Sequence, residues 1–201
     1  AGMGSWIRFC IISIVLFGCK SANENLFQKN KLFEITNEIK LSPYAMQLLS
    51  IDNEKEQLYF LNSANKPLLK WSNSNKVTIN TIDGKIIKTL GFDNDFEIKF
   101  YEGFKGTKSS QALIRFKDPE SGFMDIFFTY ELVKNGSMKK IVDNSYFQYS
   151  LIKESFDVPL IKWTGVNYYW VDEEMDVWQS KQYIDPFNSK VRINTLKKYS
   201  D

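Results

Sequence analysis

The chain of 201 residues contains no histidine, and this absence excludes several kinds of active site. A Ser-His-Asp triad, a Cys-His dyad, an HExxH zinc site and a histidine general base all need an imidazole ring. Cysteine is almost as scarce, because both copies, Cys10 and Cys19, lie near the start of the chain. The rest of the chain therefore has no disulfide of its own, no thiolate metal cluster and no thiol nucleophile. We predict that the protein is not an enzyme and that it holds no metal and no cofactor.

The sequence also lacks a charge excess and a long apolar run. Lysine and arginine number 26, and aspartate and glutamate 24, which leaves a net charge of +2. That balance argues against a nucleic-acid partner. The apolar stretch at residues 9–17 is well short of the ~20 residues that a transmembrane helix needs. It does have the form of a secretory signal, because Arg8 precedes it and the small residue Gly18 follows it.

The residues Leu16-Phe17-Gly18-Cys19 resemble a bacterial lipobox, in which cleavage before the cysteine accompanies acylation of its thiol. We therefore predict a lipoprotein signal peptide at residues 1–18, with glyceride and palmitate-type acyl chains on Cys19. Several acyl chains give the stable anchoring that a single chain does not. A polar tether follows at residues 19–31, and Lys20 favours the outer membrane, on its periplasmic face. The alternative is a short uncleaved anchor or an ordinary apolar stretch.

Aromatic residues make up 15% of the chain, which favours β-structure. From Pro43 onward apolar and polar residues alternate in short runs, with the period of a half-buried strand. A looser helical spacing predicts one short helix between Asn25 and Glu38. We predict a single all-β domain over residues 32–201, mostly antiparallel, with about a dozen strands and a short N-terminal helix.

Turn signals separate these runs at Asp83-Gly84, at Asn135-Gly136 and at residues 118–122. Asp-Gly and Asn-Gly tolerate positive φ angles and are strong hairpin signals. We predict a type I′ turn at Asp83-Gly84, with Gly84 at positive φ. A further hairpin is predicted near the C-terminus, where an acidic turn at residues 173–176 joins two segments rich in aromatic rings.

The rings of this C-terminal hairpin form the candidate contact surface for sugar or protein, namely Tyr168, Tyr169, Trp178 and Tyr183. They exceed what one face of a two-stranded ribbon can bury. Alternation places Tyr168 and Trp170 on one face and Tyr169 and Val171 on the other. Because tyrosine tolerates water better than tryptophan does, we expect Tyr169 to be exposed and Trp170 to lie in the core. Core packing of all these rings is the alternative.

Two acidic clusters have both a chemical and a structural interpretation. Carboxylates at residues 172–176 could supply the pair that a glycoside hydrolase needs, but their place between two strands favours a solvated turn. Asp93-Asn94-Asp95 offers oxygen ligands for calcium without the rest of an EF-hand spacing. We assign neither a catalytic nor a metal role to these clusters.

Two segments carry a family resemblance. The first runs from Trp71 through the turn at Asp83-Gly84 to Gly91, and the second is Tyr-Trp-Val-Asp at residues 169–172 with Trp-Gln-Ser-Lys-Gln-Tyr-Ile at residues 178–184. Together with Cys19, they are similar to the YjbF/GfcB family of lipoproteins from capsule and exopolysaccharide operons of Gram-negative bacteria. The resemblance implies a β-rich pseudo-barrel or curved sandwich at the outer membrane that assists polysaccharide secretion. It implies no catalytic residue.

We therefore expect an outer-membrane lipoprotein that serves as an accessory factor for capsule or exopolysaccharide assembly or export. It would act by binding protein partners of the export machinery, the polysaccharide or both, with the membrane as a further partner through the lipid. Two alternatives remain open. An enzyme acting on the polysaccharide would need paired carboxylates in one cleft, and a carrier of acyl chains would need an apolar hollow of several hundred Å³.

Overall fold

The alternating segments fold into twelve antiparallel strands, as the sequence predicts, and the strands close into a barrel. The computed structural model describes residues 36–117 and 120–199. A short helix, α1 (Asn37–Leu41), precedes the strands, and the hydroxyl of Thr36 caps it by accepting the Ile39 N–H at 3.4 Å. The strands are β1 (Met46–Ile51), β2 (Gln57–Asn65), β3 (Leu68–Ser72), β4 (Thr78–Ile82), β5 (Lys85–Leu90), β6 (Phe96–Lys99), β7 (Ser109–Phe116), β8 (Met124–Lys139), β9 (Tyr146–Val158), β10 (Trp163–Val171), β11 (Val177–Tyr183) and β12 (Lys190–Lys197).

Every strand pairs with its neighbours in the sequence, and β1 closes the ring by pairing with both β2 and β12. Met46 lies opposite Phe60 on β2 and Lys197 on β12. The turns from β2 to β3, β4 to β5, β6 to β7 and β10 to β11 therefore share one end of the barrel with the start of β1 and the end of β12. We call this end the mouth.

Large apolar side chains fill most of the barrel lumen. Ile79, Ile114, Phe128 and Val158 are among the most deeply buried of them. Removing each such side chain from water contributes about 1.5–3 kcal/mol to folding. The loop between β6 and β7, residues 100–108, adds two further buried rings at the mouth. These belong to Tyr101 and Phe104, and Phe104 lies 5.2 Å from the Tyr169 ring.

The β8–β9 hairpin is longer than the barrel wall and packs against its outer surface. Val142 at its turn contacts a cluster that joins β1, β12 and Ile39 of the helix α1. Residue Leu48 on β1 lies in that cluster and is 1% exposed, although its neighbours in the strand point into the lumen. This cover explains why β1 is buried along nearly its whole length.

The predicted turn at Asn135-Gly136 is wrong, because both residues lie inside β8, opposite Ser150 and Tyr149. The turn of this hairpin comes later, between β8 and β9. Glycine allows the Tyr149 side chain to approach the β8 backbone closely, because a Cβ on Gly136 would stand 2.7 Å from the Tyr149 hydroxyl oxygen.

The predicted turn at Asp83-Gly84 is confirmed. Its two residues have φ angles of 48° and 73°, the positive pair that a type I′ turn requires.

The predictions for residues 1–31, which include the signal peptide, Cys19 and the tether, lie outside the described residues. The predicted helix between Asn25 and Glu38 overlaps α1 only at its end, and residues 25–35 are also outside. Among the residues that the structure describes, no helix has the length and apolar character needed to span a membrane.

Candidate functional site

A buried ion pair lies in the lumen beneath the mouth. Lys85 and Glu154 are 2.7 Å apart, and their side chains are 5% and 0% exposed. The same oxygen of Glu154 accepts hydrogen bonds from the Asn167 amide at 2.6 Å and from the Tyr169 hydroxyl at 3.2 Å. Tyr101 donates to the second oxygen at 3.4 Å. Four donors from three segments, namely β5, β10 and the loop between β6 and β7, thus converge on one carboxylate, which offsets the cost of removing its charge from water.

Gln182 extends this network to the mouth. Its side-chain amide donates to the backbone carbonyl of Gly84 at 2.7 Å, and its oxygen accepts the Ile86 N–H at 2.9 Å. The β4–β5 turn is therefore held in place by a buried side chain of β11.

Burial and the charge of Glu154 raise the pKa values of the tyrosines in this network. Burial raises the pKa of Tyr169 and of Tyr101 well above its usual value, and the adjacent carboxylate raises both further. Burial likewise raises the pKa of Tyr130 to about 12. These hydroxyls keep their protons and act as hydrogen-bond donors.

The prediction that Tyr169 is exposed and Trp170 buried is wrong. Tyr169 is 0% exposed, and Trp170 is only partly covered on the outer face, where its ring lies 6.4 Å from that of Tyr168. The alternation itself is as predicted, but the faces are reversed. The physical reason is that the Tyr169 hydroxyl finds polar partners inside the barrel, in Glu154 and Gln182.

The other predicted contact residues, Tyr168, Trp178 and Tyr183, are each partly exposed. The β8–β9 hairpin covers one side of Trp178, with the Phe147 ring at 5.4 Å. The Tyr183 ring lies 5.8 Å from the Phe156 ring, and the Lys190 ammonium lies 4.5 Å from the centre of the Tyr183 ring. The structure therefore does not gather the predicted residues into one continuous surface.

A cavity of about 480 Å³ opens at the mouth, and the sequence analysis did not predict it. The strands β1, β3, β4, β11 and β12 form its wall, and the turns and chain end at the mouth form its rim. Its lining residues are Gln47, Lys66, Pro67, Leu69, Trp71, Thr81, Asp83, Gly84, Lys105, Met175, Asp176, Val177, Thr195, Lys198 and Tyr199. The volume lies within the range of roughly 300–1,000 Å³ that small-ligand pockets occupy.

Charged groups of both signs alternate around the rim. Lys105 lies 3.8 Å from the Asp83 carboxylate and 3.6 Å from that of Asp176. Burial raises the pKa of the Asp83 carboxyl, Lys105 opposes this effect, and the charge of Asp176 adds to it. Lys198 lies 3.0 Å from Asp176, so Asp176 is held between two ammonium groups.

Among the described residues that line the cavity, Gln47 has a buried side-chain atom without a hydrogen-bond partner. The side-chain oxygen of Gln47 is buried and accepts no hydrogen bond within the described part of the chain, and the residue is 7% exposed. Close by, the Trp71 indole N–H donates to the Thr81 hydroxyl at 3.0 Å. An unpaired buried acceptor costs about 1–3 kcal/mol.

The acidic turn between β10 and β11 is organised by its own hydrogen bonds, as the turn interpretation predicts. Asp172 accepts the N–H groups of Glu174 at 3.1 Å and Asp176 at 3.0 Å, and it pairs closely with Lys198. Burial alone would raise the pKa of Asp172, but the hydrogen bonds from Lys198 and Trp178 outweigh it and lower the pKa. The carboxylates of Asp172, Glu174 and Asp176 lie within 4.8 Å of one another, but the Lys198 ammonium already forms ion pairs with two of them, Asp172 and Asp176.

These features define a class of protein: a closed antiparallel barrel with a polar network in its lumen and a ligand-sized cavity at one end. The sequence model of the YjbF family, described as the group 4 capsule polysaccharide lipoprotein gfcB, matches residues 20–196. The chain therefore belongs to this family of capsule polysaccharide lipoproteins, and the predicted resemblance is confirmed. As a family of lipoproteins, it is attached to a membrane through lipid.

The fold is shared with a solved structure of low sequence identity. The hypothetical lipoprotein YmcC from Escherichia coli (K12) has a TM-score of 0.73 at 16% identity, over 88% of this chain and 93% of that chain. A candidate exported protein from Bacteroides fragilis, described as having a YmcC-like fold, reaches a TM-score of 0.41 at 10% identity, over 78% of this chain and 95% of that one. A search of curated protein sequences finds no match.

Proposed function

We propose that this chain is an accessory protein of capsule or exopolysaccharide assembly and export, anchored through Cys19 to the periplasmic face of the outer membrane. It acts by binding, with saccharide as the ligand of the cavity and export proteins as partners of the outer surface. The observation that carries the proposal is the mixed lining of the cavity. Rings, amide and hydroxyl groups and paired charges line the same wall, and a polyhydroxylated ligand needs this combination.

The lining supports a saccharide over an acyl chain. The volume would suit either ligand, but five charged side chains line the cavity, namely Lys66, Asp83, Lys105, Asp176 and Lys198. An acyl chain in this place would remove water from those charges and return no hydrogen bond.

The lining also supports binding over hydrolysis. Asp83 and Asp176 place two carboxylates on one cavity, as a glycoside hydrolase requires. Both carboxylates contact Lys105, and Asp176 contacts Lys198 as well. A hydrolase needs one carboxyl that is free to protonate the leaving oxygen. Two carboxylates that share ammonium partners are better suited to holding hydroxyl groups.

The experiment uses the full lipidated chain. Purification from detergent-solubilised membranes should recover a component of the polysaccharide-export machinery, and deletion of the gene should lower the amount of polymer at the cell surface. Wild-type protein should restore the polymer. Normal surface polymer in the deletion strain would overturn the proposed function, whatever the chain binds in vitro.

The ring at Tyr168 is the most direct test of the proposed outer contact surface. Tyr168→Ala should fold normally and lower partner recovery or surface polymer. The matched control is Tyr146→Ala, since Tyr146 is 72% exposed on the β8–β9 hairpin and lies outside the predicted contact set. Equal behaviour of the two variants would remove Tyr168 from the contact surface.

A further inference from the structure

The end of the barrel opposite the mouth is filled by aromatic side chains. The turns from β5 to β6, β7 to β8, β9 to β10 and β11 to β12 lie at this end, which we call the base. The buried Trp163 ring lies 4.7 Å from the Phe156 ring and 5.7 Å from the Phe116 ring. The lumen therefore has no room at the base for a further side chain.

Two turns of the base present large apolar side chains to solvent. In the β9–β10 turn Leu160 is 76% exposed and Ile161 40%, and in the β11–β12 turn Phe187 is 68% exposed. Turns ordinarily carry polar residues, glycine or proline. Two strand spacings of about 4.8 Å separate these turns, so they stand roughly 10 Å apart. We call the three side chains the apolar tips.

The backbone of both turns is fixed by hydrogen bonds. Asp185 is 4% exposed, and its carboxylate accepts the N–H groups of Phe187 at 2.8 Å and Ser189 at 3.1 Å. In the other turn Pro159 begins a single 3₁₀ turn, and the Lys162 N–H donates to the Pro159 carbonyl at 3.2 Å. The apolar tips are thus held outward and cannot withdraw into the filled lumen.

The mouth has a different chemical character. Its cavity is lined by five charged side chains, namely Lys66, Asp83, Lys105, Asp176 and Lys198. A lipid surface against the mouth would remove these charges from water, which is unfavourable. A lipid surface against the base would instead remove the apolar tips from water, which is favourable.

The attachment of the chain brings a lipid surface within reach of the base. The family is one of lipoproteins, and residues 20–35 separate the proposed attachment site, Cys19, from the described residues. Ile39 of α1 belongs to the cluster of Leu48 on the outer wall, and β1 ends at the base at Ile51, roughly 10 Å from Leu48. Residues 20–35 can span at most about 55 Å. Chain length therefore permits contact of the base with the membrane.

From these observations we propose that the apolar tips, Leu160, Ile161 and Phe187, rest in the surface of the membrane that anchors the chain, so that the mouth faces away from it. The inference rests on the lipid attachment that is part of the proposed function, and not on the ligand of the cavity. The acyl chains supply the anchoring, and the tips set the orientation of the barrel. The cavity then opens to the aqueous side, where a ligand enters it without displacing the protein from the lipid.

Fluorescence quenching measures which end faces the lipid. The full lipidated chain is reconstituted in vesicles of phosphatidylethanolamine and phosphatidylglycerol whose acyl chains carry nitroxide groups. The described residues contain no cysteine, so a thiol label reports from one introduced position. Phe187→Cys is compared with Phe100→Cys at the mouth and Tyr146→Cys on the β8–β9 hairpin. The three native rings are similarly exposed, at 68%, 72% and 72%.

The label at position 187 should be quenched and its emission shifted to shorter wavelength. The labels at positions 100 and 146 should keep the intensity that they have in vesicles without nitroxide. Equal or stronger quenching at either of these positions would overturn the inference, and stronger quenching at 146 would assign the lipid contact to the hairpin. A chain that floats with the vesicles while the label at 187 stays bright keeps its lipid attachment and loses the orientation. A chain that does not float overturns the attachment as well.

A double variant tests the tips themselves. In the Leu160→Ser/Phe187→Ser background, quenching of a label at Ile161→Cys should be largely lost, because the apolar contact is removed. Phe100→Ser/Tyr146→Ser is the matched control, since it removes two equally exposed rings elsewhere and should leave the quenching at 161 unchanged. Thermal melts show that each variant is folded. Full quenching at 161 in the folded Leu160→Ser/Phe187→Ser variant would overturn the role of the tips.

Discussion

Removal of the Lys85 ammonium should be among the most damaging single changes in the barrel. Lys85→Met keeps the length and the apolar stem of the side chain, so it preserves the contact with the Phe128 ring, from which the ammonium lies 5.0 Å. It leaves Glu154 completely buried, with only neutral donors. The expected result is a loss of stability and an unchanged fold.

The magnitude follows from the burial of the pair. Breaking a buried ion pair by removing one partner costs about 3–5 kcal/mol, because an uncompensated charge remains in the interior. For a domain of this size each kcal/mol corresponds to about 2–4 °C in Tm, which gives a decrease of roughly 6–20 °C. The three remaining donors to Glu154 favour the lower half of this range.

The assay is urea unfolding followed by tryptophan fluorescence, since Trp71 and Trp163 report from the lumen. Lys88→Met is the matched control on the same strand. Lys88 pairs with Glu97 at 3.0 Å, but its side chain is 38% exposed, so the expected cost is only about 0–1 kcal/mol. The comparison separates the effect of burial from that of losing a lysine on β5.

The double variant Lys85→Met/Glu154→Gln tests the cause. Once the carboxylate is neutral, no unpaired charge remains, so the double variant should be at least ~1 kcal/mol more stable than Lys85→Met alone. The reasoning is refuted if Lys85→Met loses no more stability than Lys88→Met does. It is also refuted if the stability loss of the double variant equals the sum of the losses of Lys85→Met and Glu154→Gln.

Three further predictions concern other parts of the chain. Gly84→Ala should destabilise by about 1–2 kcal/mol through backbone strain. It should cost more through a clash with Val177, whose Cβ and one methyl each lie 2.6 Å from the position of the new Cβ. Val177→Ala removes the methyl but keeps the Cβ, so it should relieve only part of the clash, and an unchanged Tm of Gly84→Ala would contradict both effects. Urea midpoints should fall as pH rises above about 10, because tyrosines in the unfolded chain lose their protons at a lower pH than the buried tyrosines of the folded protein do. Each such tyrosine should lower the free energy of unfolding by about 1.4 kcal/mol per pH unit. A midpoint constant from pH 9 to 11 would contradict the raised pKa values of Tyr59, Tyr101, Tyr130 and Tyr169. Cys19→Ser should abolish metabolic palmitate labelling and leave the precursor uncleaved, and labelling that survives would exclude Cys19 as the lipid attachment site.

Most of the fold could be predicted from local signals. Alternation over four to nine residues identifies a strand wherever one face meets the core, and Asp83-Gly84 fixes a hairpin because its positive φ angles suit the twist of the strands. The same logic failed at Asn135-Gly136. In β8 the glycine accommodates the Tyr149 ring, a contact that only the pairing with β9 creates.

The candidate site could not be predicted, because its parts are distant in the sequence. Alternation correctly separated Tyr169 from Trp170, but only the position of Glu154 on the neighbouring strand determines which face is buried. Lys85 stands directly after a turn, where a lysine is usually solvated, and it is buried because the chain brings Glu154 to it.

The closure of the barrel has a consequence for folding. Eleven of the twelve strand contacts join segments that follow one another along the chain, so most of the barrel can form hairpin by hairpin from local contacts. The contact of β1 with β12 is the exception, and it must wait until opposite ends of the domain meet. This late step brings Met46 and Lys197 side by side. A circular permutant that joins these ends by a short linker and opens the exposed turn between β8 and β9 should therefore keep the barrel and close it faster.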